Sequence, residues 1–186
     1  MHNQPLDIES SIEWLKDGKF LLHPTEGIWG IGCDALNEKA IANLYTLKKR
    51  PDNKSFILLV KSIESIEKYL IDIPKNESDY LKNVWPGHST ILIKYNKKLP
   101  MHLQNNTGKL AIRVSNHLPI KLLFKRFSGI LVSTSANISD HPPMNNPVQI
   151  LETFGNKDLA YYDAELGTSI KPSTIIDLET RKIIRE

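Results

Sequence analysis

The stretch from Leu21 to Pro51, LLHPTEGIWGIGCDALNEKAIANLYTLKKRP, constrains this chain more than any other. A short apolar run, Phe20-Leu21-Leu22, stops at Pro24, which predicts a strand ending in a loop. That loop carries Thr25, Glu26, Gly27, Gly30 and Gly32, and glycines this dense let backbone approach a ligand closely. A helix is predicted over Asn37–Lys49: Asn37 can cap it, and Ala40, Ile41, Leu44 and Leu47 share one face. It closes on Lys48, Lys49 and Arg50, cations that suit the negative end of a helix, and Pro51 bars continuation. Strand, glycine loop, helix and basic terminus together suit a polyanion.

A chain of 186 residues fits one domain, 1–186, burying roughly 70% of its unfolded surface. Its apolar and charged fractions, 40% and 24%, are those of an ordinary soluble protein. No apolar run nears the ~18–20 residues of a membrane span, and the opening MHNQPLDIESS does not read as a signal peptide. The expectation is a cytoplasmic protein with no membrane contact. One cysteine, Cys33, leaves no internal disulfide or cysteine-based zinc module, and it reads as a small buried apolar residue.

Net charge is only +3, but it is unevenly spread. Tyr80–Ser139 holds nine cations (Lys82, Lys94, Lys97, Lys98, Lys109, Arg113, Lys121, Lys125, Arg126) and no acid, in a chain with 21 acids. Either counter-charges come from elsewhere in the fold, or the segment makes a field that draws in nucleotide phosphates or RNA. We carry the second forward as the expectation.

Helices and strands alternate along the rest of the chain. Helices are expected over Asp7–Lys16, Ser62–Leu70, Asn76–Val84, Pro119–Phe127 and Pro147–Phe154. Strands are expected over Phe20–His23, Phe56–Val60, Thr90–Tyr95, Leu110–Val114, Gly129–Ser133 and Leu159–Tyr162. Thr174–Leu178 and Lys182–Arg185 suggest a closing hairpin across Glu179-Thr180. The continuous run Phe56–Val60 marks a strand covered on both faces. This alternation predicts an α/β fold: one twisted, mixed parallel and antiparallel sheet with flanking helices.

Several constellations carry chemistry. Lys48 and Arg50 stand two apart at a helix end, where a point charge and a fork can turn to one phosphate, although a solvated terminus would look the same. Ser133-Thr134-Ser135-Ala136-Asn137 follows the apolar run of its strand, where α/β sheets bind ligands; an ST-turn is the bland alternative. Arg113, in Leu-Ala-Ile-Arg-Val, either snorkels to solvent or faces a carboxylate across a cleft. No P-loop, dinucleotide fingerprint or nucleophile elbow is present, and the six histidines lack metal-ligand spacing.

Pro24-Thr25-Glu26, Trp29-Gly30 and Gly32, then Leu47-Lys48-Lys49-Arg50-Pro51, Trp85-Pro86-Gly87, Ala111–Val114, His117, Ser133–Asn137 and Pro172-Ser173-Thr174 closely resemble the YrdC/TsaC family, the L-threonylcarbamoyladenylate synthases. The order and spacing match over nearly the whole chain. The resemblance implies a YrdC-like fold with a basic concave cleft. It also implies a reaction: L-threonine, bicarbonate and ATP give threonylcarbamoyl-AMP and pyrophosphate. This is the first step toward N6-threonylcarbamoyladenosine at position 37 of tRNAs reading ANN codons, completed by a separate transferase complex.

Carried onto this chain, the resemblance gives Lys48, Arg50, Ser135, Asn137 and Arg185 to the nucleotide, with Lys48 and Arg50 as catalytic cations. It gives Thr25, Gly27, Arg113, Ser133 and Ser173 to the threonine. Mg²⁺ is expected with the ATP, without a dedicated protein cage, and direct tRNA contact would be weak. Gly27 and Leu59 depart from the family, which often places a threonine and a histidine there. The competing class is a non-catalytic RNA-binding or ribosome-maturation protein that uses the basic surface of residues 80–139.

Overall fold

Leu21 and Leu22 are both fully buried, in two different apolar clusters, because neighbouring strand residues point to opposite faces of a sheet. Leu58 and Leu59 divide the same way, as do Leu131 and Val132. The computed structural model describes residues 5–50, 54–138, 141, 144–169 and 171–186. In it, ten strands form one sheet: β1 (Pro5–Leu6), β2 (Phe20–His23), β3 (Gly30–Gly32), β4 (Ile57–Leu59), β5 (Ser89–Lys94), β6 (Lys109–Arg113), β7 (Leu131–Ser135), β8 (Leu159–Tyr162), β9 (Thr174–Asp177) and β10 (Ile183–Arg185). Their order is β1-β8-β2-β3-β7-β4-β6-β5-β9-β10. Parallel pairs (β2 with β8, β4 with β6, β5 with β9) occur beside antiparallel ones (β2 with β3, β3 with β7, β4 with β7), so the sheet is mixed as expected.

Five α-helices cover it: α1 (Ile8–Lys16), α2 (Glu38–Lys48), α3 (Lys75–Val84), α4 (Leu118–Arg126) and α5 (Pro147–Phe154). Caps set the starts. Asp7 Oδ1 accepts from Ser10 N at 2.8 Å, and Asn37 Oδ1 accepts from Ala40 N at 3.0 Å. Helices α1 and α4 bury Ile12, Leu15, Ile120, Leu123 and Phe124 on one face of the sheet. On the other, α2, α3 and α5 bury Ala40, Ile41, Leu44, Leu81, Ile150 and Leu151. Cys33 is fully buried there, and burial, helped by Asp34, pushes its thiol up to about 12, which fits an inert apolar role.

Three stretches depart from the expectation. Ser62–Leu70 is not an α-helix but two 3₁₀ turns, Ile63–Ser65 and Glu67–Tyr69. Asn96 Nδ2 donates to the Lys68 and Leu70 carbonyls at 3.1 and 2.6 Å, competing for acceptors, while Ile66 and Leu70 are drawn into the core. Gly30–Gly32, expected in the loop, is strand β3. A Cβ on Gly32 would lie 2.0 Å from the Val132 carbonyl oxygen, so glycine is what lets β3 approach β7 this closely. Strand β7 begins two residues after the expected Gly129 and runs to Ser135; its hydroxyl residues lie within the ladder rather than in an ST-turn, with Thr134 and Ser135 paired to Ile31 and Gly30.

Candidate active site

Lys48, the last residue of α2, turns its ammonium inward. Nζ donates to the Ser135 carbonyl at 2.7 Å and to the Asn137 carbonyl. The Ser135 hydroxyl donates to Asn137 Oδ1 at 2.6 Å, so helix end, strand end and following loop form one cluster. Left-handed backbone at Lys49 (φ 47°) ends α2 and carries the chain onward to Arg50. Burial, reinforced by Arg50, pulls the Lys48 pKa down to about 8. Arg50 stands near this cluster without bonding to it. Its Nε and Nη2 donate to the Lys54 and Ser55 carbonyls, each at 2.8 Å, and its guanidinium lies over the Phe56 ring.

A second cluster forms where β6 ends. Arg113, only 5% exposed, ion-pairs with Glu26 and donates from Nε to the Gly87 carbonyl at 3.2 Å. Of the two fates open to it, facing a carboxylate is the one observed. Burial alone would raise the Glu26 carboxyl, but Arg113 and the Ser115 hydroxyl overcome this and hold it below its usual value. Arg185 donates to the Ser173 carbonyl at 2.8 Å and to its hydroxyl at 3.3 Å, and the Ser173 hydroxyl also meets Thr90 Oγ1 at 2.8 Å. Arg185 is close enough for its charge to help lower the Arg113 pKa, after the larger effect of burial.

The remaining expected residues lie between or beside these clusters. Ser133, in β7, sits two positions before Ser135, and its Oγ would lie 2.9 Å from a Cβ on Gly30. The Thr25 hydroxyl is engaged within its own turn, donating to the Ile28 carbonyl at 2.6 Å. Gly27 is pressed against the 165–169 segment, where a Cβ would lie 2.4 Å from the Ser169 carbonyl oxygen. Sequence reasoning gave Glu26 only its place in the Thr25–Gly27 loop, and it gave no role to Ser115 or His23. His23 is fully buried, and neither ring nitrogen makes a hydrogen bond among the described residues. Burial holds its pKa down at about 4; the Pro24 carbonyl works against this but stops short of a hydrogen bond.

The acid-free segment looks different once folded. Lys82, Lys94, Lys109, Arg113 and Arg126 pair with Asp79, Glu179, Asp177, Glu26 and Glu9, all outside the segment. Five of its nine cations are thus answered from elsewhere, contrary to the expectation of a largely uncompensated field. Among the described residues, no helix is long and apolar enough to cross a membrane.

Known proteins resemble this chain in both sequence and fold. Residues 13–186 match the family model Sua5_yciO_yrdC, described as telomere recombination. The threonylcarbamoyl-AMP synthase of Saccharophagus degradans is 36% identical over 174 residues, covering 94% of this chain and 91% of that one. That of Coxiella burnetii is 33% identical over 185 residues, with 100% of each chain covered. The structure of P. abyssi Sua5 complexed with L-threonine superposes with a TM-score of 0.80 at 26% identity, over 91% of this chain and 50% of that one. This chain thus spans about half the length of that Sua5 protein. On sequence and fold together, the chain belongs to the Sua5/YciO/YrdC family.

Proposed function

We propose that this protein is a threonylcarbamoyl-AMP synthase, joining L-threonine, bicarbonate and ATP and releasing pyrophosphate. The names of its relatives support this, as does their threonine-bound neighbour. One structural observation carries it furthest. Lys48 and Arg50 close α2 in one cluster, Arg113 and Arg185 stand in a second, and of these four cations only Arg113 has a carboxylate partner among the described residues. Lys48 and Arg50 are held by neutral carbonyls, which orient a cation without cancelling its charge.

The chemistry calls for that. The threonine amine adds to the bicarbonate carbon and water leaves. The resulting carbamate oxygen attacks the α-phosphorus, the bond to the bridging oxygen breaks, and pyrophosphate departs. Two anions must meet, so fixed cations lower the repulsion and stabilise the charge at phosphorus. Lys48 and Arg50 take the phosphates, with Ser135 and Asn137 beside them and Arg185 on the nucleotide. Arg113 takes the amino-acid carboxylate, with Ser133, Ser173 and the Thr25–Gly27 turn forming the rest of that pocket. Among the described residues no three His, Cys, Asp or Glu side chains gather for a metal, while Ser135 Oγ and Asn137 Oδ1 are hard oxygen donors. These oxygens would hold Mg²⁺ arriving with the triphosphate, where it would offset the phosphate charge.

The product would pass to a separate threonylcarbamoyl transferase in the cytoplasm for attachment to tRNA, with at most weak tRNA contact here. The test is product identification. With ATP, threonine and ¹³C-bicarbonate, the label should appear in an adenylate carrying both threonine and the labelled carbon. Formation of ADP, or of no labelled adenylate, would refute the reading.

A further inference from the structure

Arg113 is held along one side only. Its Nε donates to the Gly87 carbonyl at 3.2 Å and its Nη2 pairs with Glu26, while Nη1 makes no bond among the described residues. Glu26 is itself fixed. Its Oε1 accepts from the Ser115 hydroxyl at 2.8 Å and from Asn116 N at 3.2 Å, and the Ser115 oxygen in turn accepts from His117 N at 3.1 Å. This bracket lies immediately after the strand that carries Arg113, so one stretch of chain holds both the carboxylate and the guanidinium.

We propose that Glu26 is the positioning residue of the amino-acid pocket: it occupies the Nε/Nη2 side of Arg113, where Nη2 is buried, and leaves Nη1 for the substrate carboxylate. The inference rests on the assignment of Arg113 to that carboxylate. A guanidinium binds a carboxylate best through two parallel bonds in one plane, so fixing the plane fixes the affinity. Glu26 does not exhaust the positive charge, because Arg185 stands near the pair. An arriving anion is therefore still attracted.

Glu26→Gln separates positioning from simple charge. If Glu26 merely offset Arg113, its neutralisation would leave more positive charge and tighten threonine binding. If it positions Arg113, binding weakens, because the amide cannot serve both neighbours: its NH₂ must face either Arg113 Nη2 or the Asn116 N–H. Losing one charged hydrogen-bond contact is worth ~10-fold or more in affinity. The expected result for E26Q is a threonine KM raised ~10-fold or more with the ATP KM within about twofold of wild type, the same weakening in calorimetry with threonine alone, and a reduced preference for threonine over threoninamide. Ser115→Ala, which loosens the bracket but keeps both charges, should shift the threonine KM in the same direction by ~3-fold, and it decides the matter if E26Q does not fold. E26Q, or S115A in its place, binding threonine as well as or better than wild type overturns the inference alone. A folded wild type that binds no threonine overturns the Arg113 assignment and the inference with it.

Discussion

Lys48 Nζ donates to the Ser135 carbonyl at 2.7 Å, tying the last residue of α2 to the last residue of β7 across 87 positions of sequence. With the Asn137 carbonyl as second acceptor, the ammonium is both anchor and free charge. Lys48→Ala should therefore do two things. Threonine-dependent turnover falls by ~10²-fold or more, the scale of losing a transition-state electrostatic contact. Stability falls by about 1–3 kcal/mol as two carbonyls lose their donor. Urea denaturation beside steady-state kinetics measures both.

A second expectation concerns pH. The Lys48 pKa is drawn down to about 8 by burial and by Arg50, and a triphosphate favours the charged form. ATP affinity should weaken as pH rises through about 8, with the ATP KM up by about tenfold at pH 9 as the charged fraction falls. Lys48→Arg removes a titrating group, so its KM should stay level over that range whatever its absolute value. A wild-type KM that is flat from pH 7 to 9 would show that Lys48 does not carry the nucleotide charge.

His23 makes a prediction at the acid end. Its folded pKa, about 4, lies below its ordinary 6.5, so the unfolded chain binds the extra proton first. The stability that neutral His23 confers is complete above pH 6.5 and is lost as pH falls toward 4, about 2 kcal/mol of it between pH 7 and 5. His23→Phe, which keeps a ring against Gly30, should remove that part of the slope. Denaturant midpoints of both proteins at pH 7 and 5 check this; parallel losses would contradict it.

Gly27 is required by a close approach rather than by a turn. Ser169 N donates to the Glu26 carbonyl at 2.8 Å and Gly167 N to the Thr25 carbonyl at 2.9 Å, so the two segments lie flush. Gly27→Ala would push a methyl against the Ser169 carbonyl, costing about 1–3 kcal/mol. Hydrogen exchange at the Gly167 and Ser169 amides should rise in that variant. Unchanged protection would show that the contact yields easily.

How far the sequence foretells this structure depends on whether a signal is local. Phe56–Val60 announces a doubly covered strand because its apolar run is continuous, and Asn37 announces a helix start because its cap lies three residues away. Strand β3 gives no such signal: two of its three residues are glycines, and only their neighbours in the fold explain them, His23 and Ser133 at Gly30 and Val132 at Gly32. Gathering Lys48 with Ser135 and Asn137 was expected from resemblance, not from periodicity. Glu26 was legible as part of a motif but not as the partner of Arg113, since nothing local links positions 87 apart. The apparent charge imbalance of 80–139 misled for the same reason: its counter-ions, such as Glu9 and Asp177, are neighbours only after folding.

The central claim is that one site brings a nucleotide and an amino acid together at buried cations. Its most direct test is pyrophosphate release by the wild-type protein with ATP, Mg²⁺ and bicarbonate, with and without L-threonine. Release that appears only with threonine, and that drops ~10²-fold in both Lys48→Ala and Arg113→Ala, is the predicted result. Release that ignores threonine, or that survives both substitutions, would contradict it.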